Sequence, residues 1–377
     1  MPDAFSIDTL LEQMVAHNAS DLHLTVGSKP VLRLRGHLHR MESLPTLTAE
    51  DTRHLLYRIT STEQQKQLEL NRQLDMSYSI PGVARFRVNL YSQRESLAGA
   101  FRLIPTELKT LEELGMPQSL YGLCQKPRGL VLVTGPTGSG KSTTLSALID
   151  EINRTRSDHI ITIEDPIEFL HKHKNCVVNQ REIGPDATSF ADALRGALRQ
   201  DPDVILLGEM RDLETISTAL TAAETGHLVF ATLHTQDASS TVDRLIDVFP
   251  AAQQGQIRTQ IAGSLQGVVT QALLPTADGA GRAPAVEILF PDDAVRNLIR
   301  QAKVEQVYSI MQTGTARGMM TLEQSLADLV LRGVIDQELA LSRSSRAEQL
   351  LGLIQRNSLE PEQQQLAAAS GLRVAGA

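Results

Sequence analysis

One segment of the chain points directly to phosphate chemistry: Gly135-Pro136-Thr137-Gly138-Ser139-Gly140-Lys141-Ser142-Thr143. It reads G-x-x-x-x-G-K-[ST], the P-loop pattern. Glycines let the backbone curl until several N–H groups face inward, where a polyphosphate such as that of ATP can accept from them. Lys141 is placed to reach the β- and γ-phosphate oxygens, and the Ser142 hydroxyl to ligate Mg²⁺. The flanks support the pattern. Gly129 to Thr134 reads as a buried strand, and Thr144 to Ile149 resumes with helical spacing, which aims the positive end of a helix at the loop. A glycine-rich turn matching by accident would explain neither flank.

A P-loop needs an acid at the end of a neighbouring strand, to hold the metal or its water. Two apolar runs end in carboxylates: His159 to Ile163 leads into Glu164 and Asp165, and Asp203 to Leu207 leads into Gly208 and Glu209. Ligands of such sheets sit beyond the carboxyl ends of the strands. Glu209 is assigned to Mg²⁺, directly or through water, and Glu164 to the attacking water, which a carboxylate can orient and partly deprotonate. The swapped assignment fits the spacing as well, and for each acid the plain alternative is a salt-bridged strand end. Asp165 is expected to fix the strand end or a subunit contact.

A third apolar run, Leu228 to Leu233, is flanked by His227 and His234. A lone histidine is more often structural than catalytic. At the carboxyl end of a strand beside the P-loop strand, His234 is placed to sense the γ-phosphate or to couple hydrolysis to movement, and His227 is the second candidate. His171-Lys172-His173-Lys174 lacks nearby Cys or acid ligands and reads as a solvated loop. An isolated P-loop site is open on one side, and arginines from elsewhere can balance the charge of a transferring phosphate. Among Arg85, Arg87, Arg94 and Arg102, the pair Arg87 and Arg102 sits in separate strand-like segments able to converge on one edge. Surface arginines of a small sheet are the alternative.

These residues need elements to hold them. A chain of 377 residues implies two or three domains. Residues 1–103 read as a small mixed domain, with a helix over 7–15, strands near 20–26, 31–35, 37–41, 84–91 and 99–104, and one or two covering helices. Residues 104–117, bounded by Pro105 and Pro117, read as a linker. From 118 to 356 short apolar runs alternate with helical stretches, the signature of a parallel sheet with crossover helices. Residues 357–377 read as a mobile tail. The class is α/β.

Composition removes other functions. Aromatics are only 3% with no Trp, which argues against base stacking, and the net charge of −8 argues against indiscriminate nucleic-acid binding. No specific nucleic-acid partner is expected. Cys124 and Cys176 cannot form a four-ligand zinc cluster. No basic-then-apolar leader and no apolar run of about 18 residues is present. The expectation is a cytoplasmic protein without a transmembrane segment, which protein partners would hold if it works at a membrane.

The ordered motifs GPTGSGKST, IITIEDPIEF, RQDPDVILLGEMRDLETI and TGHLVFATLHT resemble the Walker A, Asp-box, Walker B and His-box of the type II/type IV secretion-system ATPases. ASDLHLTVGSKPVLRLRG, AVRNLIR (294–300) and IMQTGTARGMMTLEQSL extend the match over about residues 5–345, and make it most similar to the ATPases that retract type IV pili in twitching motility. The resemblance implies a PAS-like N-terminal α+β domain joined to a RecA-like ATPase domain, assembled as a homo-hexameric ring. It implies that Glu164 and Glu209 are the essential acids and His227 and His234 the His-box pair. Arg87 and Arg102 would act on the nucleotide phosphates from the N-terminal domain. AVRNLIR corresponds to a motif linked with retraction rather than hydrolysis. Expected partners are an inner-membrane pilus platform protein and a second retraction ATPase. The alternatives are an accessory retraction ATPase, a RecA-like nucleic-acid translocase and an assembly scaffold with negligible hydrolysis.

Overall fold

The structure, a computed structural model, describes residues 5–105 and 107–356. The expected tail over 357–377 lies outside the described residues. They divide into two compact units, one reaching Glu107 and including Glu168–Leu170, the other spanning Leu108–Ile167 and continuing from His171.

The first unit begins with α1 (Ile7–Ala16), capped by Ser6, whose side chain accepts from the Thr9 N–H. Ile7, Leu10, Leu11 and Met14 recur at helical spacing and are all buried. There follow β1 (Asp21–Leu24), β2 (Val31–Leu34), β3 (His37–Arg40), α2 (Ala49–Tyr57), α3 (Thr62–Asn71), β4 (Gln73–Ile80), β5 (Ala84–Gln93) and β6 (Ser96–Ile104). The strands form one sheet in the order β3-β2-β1-β6-β5-β4, antiparallel at every pairing. Alternation along β5 buries Phe86, Val88 and Leu90 and turns Arg87 outward. β4 was not among the expected strands, although its Leu74 and Met76 are buried with the same period.

The second unit opens with α4 (Tyr121–Cys124), β7 (Gly129–Thr134), α5 (Lys141–Thr155), β8 (His159–Glu164), β9 (Val177–Glu182), α6 (Phe190–Ala197), β10 (Val204–Leu207), α7 (Leu213–Thr225) and β11 (Leu228–Leu233). It continues with α8 (Ala238–Asp247), α9 (Ala251–Ser264), β12 (Leu265–Pro275), β13 (Arg282–Leu289), α10 (Asp293–Arg300), α11 (Val307–Thr313), α12 (Leu322–Leu331) and α13 (Gln337–Arg343). The sheet order is β13-β12-β7-β11-β10-β8-β9. All neighbours are parallel except β12 and β13. β7, β10 and β11 are buried along their whole length, as strands covered on both faces must be. Alternate residues of these strands feed two cores, one on each face.

Two features differ from the sequence expectation. The 104–117 stretch is not uniformly polar: Leu111 and Met116 are buried in the core that also takes Leu145, Leu148 and Ile152 of α5. The sheet is also not wholly parallel, because β12 and β13 form an antiparallel hairpin at one edge.

Candidate functional site

The P-loop leaves β7 at Thr134 and enters α5 at Lys141. Gly140 caps α5 at φ 89°, in the left-handed region. At Gly135 (φ 136°) a Cβ would lie 2.3 Å from the Gln271 carbonyl oxygen and 2.7 Å from Ser139 Oγ, so only glycine fits. Lys141 Nζ donates to the Gly135 and Pro136 carbonyls at 2.8 and 3.2 Å, folding the side chain over the loop. Ser142 and Thr143 are half-buried in the first turn of α5. The Ser139 hydroxyl oxygen is buried with no hydrogen-bond partner. A glycine cradle, an ammonium above it and an orphaned hydroxyl inside it are the donor set a polyphosphate would take. Ser142 and Glu209 offer hard oxygens for Mg²⁺. Among the described residues no three His, Cys, Asp or Glu side chains cluster to hold a metal.

Sequence places a carboxylate on the strand next to β7. The structure inserts β11 there, so the strand leading to Glu209 is second from β7 and the strand of Glu164 third. At about 4.8 Å per strand these lie about 10 and about 14 Å away. The adjacent strand delivers His234, one residue past Leu233, which is level with Thr134. Glu209 and His234 meet, with His234 Nε2 at 3.1 Å from Glu209 Oε1. Arg211, which sequence reasoning did not single out, also holds Glu209, through contacts of 2.6 Å to each carboxylate oxygen. Burial works to raise the Glu209 pKa, but the Arg211 hydrogen bond and charge together with His234 outweigh it, and the carboxyl ends below its ordinary range. Glu164 accepts from Thr162 Oγ1 at 2.6 Å and from Gln180 Nε2 at 3.1 Å. Gly208 brings the two acid-bearing strand ends together: its N–H donates to the Ile163 carbonyl at 2.8 Å, and a Cβ there would lie 3.3 Å from Glu164 Cα.

His227 does not join this group. It precedes β11, and its backbone carbonyl accepts from the Gly129 N–H, at the amino ends of the strands, opposite the P-loop. Seven residues of extended chain separate the two histidines by about 23 Å. Its ring Nδ1 lies 3.0 Å from the Ala222 carbonyl, at the end of α7. The His171–Lys174 loop is more ordered than expected. Buried Asn153 of α5 donates to the Lys172 carbonyl at 2.7 Å and accepts from the Lys174 N–H at 3.1 Å, while Lys174 pairs with Asp150 at 2.6 Å. Burial holds His171 neutral, its pKa pushed down to about 4.

In the first unit Arg87 and Arg102 are directly opposed across β5 and β6. Asp21 opposes Arg102 on β1, and Arg33 opposes Asp21 on β2, so one face of the sheet carries an Arg-Arg-Asp-Arg row. Arg102 Nε lies 2.8 Å from Asp21 Oδ1 and is still 69% exposed. Like charges placed opposite each other oppose folding, and a pair of exposed arginines in that position is suited to an anion. Arg85 is committed elsewhere, to Ser77 Oγ at 2.7 Å, and Arg94 stands in the β5–β6 turn at φ 47°.

A model of the Type II/IV secretion system protein family matches residues 4–357. The chain belongs to that family. Within it, the type IV pilus retraction ATPase PilT of Pseudomonas aeruginosa is 50% identical over 91% of this chain and 99% of its own. The type IV pilus ATPase PilU of the same organism is 39% identical over 93% of this chain and 92% of its own. A crystal structure of the pilus retraction motor PilT with bound ADP aligns with a TM-score of 0.86 at 50% identity, covering 91% of this chain and 98% of that one. The fold is therefore the family's α/β fold, an N-terminal domain followed by a RecA-like ATPase domain.

Proposed function

We propose that this chain is a mechanochemical ATPase that powers type IV pilus retraction. The observation that carries the reading is the Glu209–His234 pair at the strand ends, at the same end of the sheet as a glycine cradle that a side chain cannot replace. The full-length likeness to PilT, stronger than that to PilU, supports retraction as the work performed and favours the main motor over an accessory one.

In this reading Gly135 to Thr143 bind the nucleotide through backbone N–H groups, and Lys141 swings from its carbonyl contacts onto the β- and γ-phosphates. Mg²⁺, when bound, neutralises phosphate charge, with Ser142 and, through water, Glu209 as its protein ligands. The strand order supports that assignment, since Glu209 is the nearer acid. Glu164, oriented by Thr162 and Gln180, positions the attacking water and takes its proton. His234, bonded to Glu209, reports whether the γ-phosphate is present. Arg87 and Arg102 supply positive charge to the departing phosphate, and His227 acts away from the P-loop, as a contact at the amino ends of the strands.

The working form in this proposal is a homo-hexamer in the cytoplasm. It acts on an inner-membrane platform protein, alongside a second retraction ATPase. Domain boundaries at 1–103, 104–117 and 118–356 give it a PAS-like arm, a connector and a motor, and loss of the γ-phosphate changes their preferred arrangement. No helix among the described residues is long and apolar enough to cross a membrane, so a partner is the natural anchor. Deleting the gene tests the reading: cells should keep surface pili and lose their withdrawal. Loss of the pili themselves would contradict it in favour of assembly.

A further inference from the structure

Under the P-loop lies a buried glutamine. Gln271 belongs to β12, which runs parallel to β7 with Thr270 opposite Thr134. The hydroxyls of that threonine pair are 2.8 Å apart. Gln271 is thus one residue beyond the last paired position, level with the start of the loop, and only 3% exposed. Its amide nitrogen donates to the Ser139 carbonyl at 2.6 Å, and its amide oxygen accepts from Thr144 Oγ1 at 2.9 Å. Thr144 is itself 2% exposed. The two contacts bracket Gly140, Lys141, Ser142 and Thr143, the stretch that would meet phosphate and metal.

We propose that Gln271 is a positioning residue for nucleotide binding, which sets the orientation of the Ser139–Gly140 peptide. This rests on the reading of the P-loop as the nucleotide site. In a trans peptide the C=O and the following N–H point in opposite directions. Holding the Ser139 carbonyl toward β12 therefore turns the Gly140 N–H away from β12, toward the side an anion would occupy. The Ser139 N–H is committed to the Pro136 carbonyl at 3.2 Å, and the Thr144 N–H to the Gly140 carbonyl at 3.0 Å. The glutamine thus completes a set of contacts that leaves this peptide one orientation. Only a side chain that donates and accepts at once can serve both partners. A carboxylate can accept from Thr144 but presents a second oxygen to the Ser139 carbonyl, and a leucine serves neither.

The test is a titration of the full-length protein with a fluorescent ADP analogue and Mg²⁺, at about pH 8 and about pH 5.5, with melting temperatures alongside. Gln271→Leu should bind at least about tenfold more weakly at both pH values. Gln271→Glu should bind about tenfold more weakly at about pH 8. At about pH 5.5, where burial keeps its carboxyl protonated and able to donate, it should return to within about twofold of wild type. That recovery separates positioning from bulk stability, and it carries the test alone if the leucine variant does not fold. Wild-type affinity in the glutamate variant at both pH values, or an equal loss at both, overturns the role of Gln271. Lys141→Ala distinguishes the two layers of the argument. If Lys141→Ala abolishes binding while Gln271 variants bind normally, only the glutamine proposal fails. If Lys141→Ala binds normally, the P-loop reading fails and the glutamine proposal with it.

Discussion

The two sides of the site are held by different kinds of contact. On the P-loop side, where β7 meets β12, the partners are buried and uncharged: Thr134 with Thr270, and Gln271 with Ser139 and Thr144. On the acid side, at the ends of β10 and β11, they are ionisable and partly exposed. Glu209 is paired with Arg211, which is 75% exposed, and with His234, which is 46% exposed. Neutral buried hydrogen bonds are poorly replaced by water and favour one geometry. Exposed ion pairs add little stability and are readily exchanged for other partners. The two sides divide the labour. The glycine loop is built before the nucleotide arrives, whereas Glu209 is held by partners it can exchange as phosphate charge comes and goes.

The sharpest way to break this comparison is at the cradle. Lys141→Ala should lower kcat/KM for ATP at least about 100-fold, because the ammonium, once it leaves its carbonyl contacts, balances the charge of the transferring phosphate. Its melting temperature should stay near wild type, since Lys141 is only half-buried. Steady-state phosphate release with a parallel melt decides both points. Retained turnover would remove the cradle from the chemistry.

A smaller effect sharpens the acid side through its anchor. Glu287 accepts from the Ala238 N–H at 2.7 Å and so holds the start of α8, just after His234. Burial, aided by Asp237 and Glu323 and opposed by that hydrogen bond, raises its pKa to about 7. The folded protein therefore holds a proton that the unfolded chain releases between the usual 4.5 and about 7. Stability should fall as pH rises through that window, by up to about 3 kcal/mol from this group. Glu287→Gln keeps an acceptor for Ala238 and should flatten that slope in urea titrations across pH. An unchanged slope would show that the carboxyl does not titrate there.

The smallest effect is expected at Arg211. Arg211→Ala should change stability by less than about 1 kcal/mol by urea titration, as exposed ion pairs do. A larger loss would mean that the acid side is built as rigidly as the cradle.

What could be read in the sequence follows from which information is local. The P-loop was legible because its glycines, Lys141 and Ser142 are contiguous, and Glu164, Glu209 and His234 because each ends an apolar run. The order of strands was not, because nothing within β10 or β11 states which pairs with β7. His234 was read as the better placed of its pair, at the carboxyl end of its strand, with His227 kept as the second candidate. Both flank β11, and only strand direction sends one to the P-loop end and the other to the far end. The opposition of Arg87 and Arg102 follows from the hairpin register, in which Gln93 pairs with Ser96. That turn is made by Arg94 and Glu95 at φ 47° and 62°, without the Asn or Gly that would announce it. Gln271 gave no signal at all, being one of two glutamines in a mostly apolar strand, and its meaning appears only when β12 is laid beside β7.

The central claim, that the cradle binds and the acid side turns over, is tested most directly by single-turnover hydrolysis in Glu209→Gln loaded with ATP and Mg²⁺. Nucleotide should be retained at wild-type affinity while phosphate release slows about 100-fold or more. Release at the wild-type rate, or loss of binding in step with turnover, would contradict it.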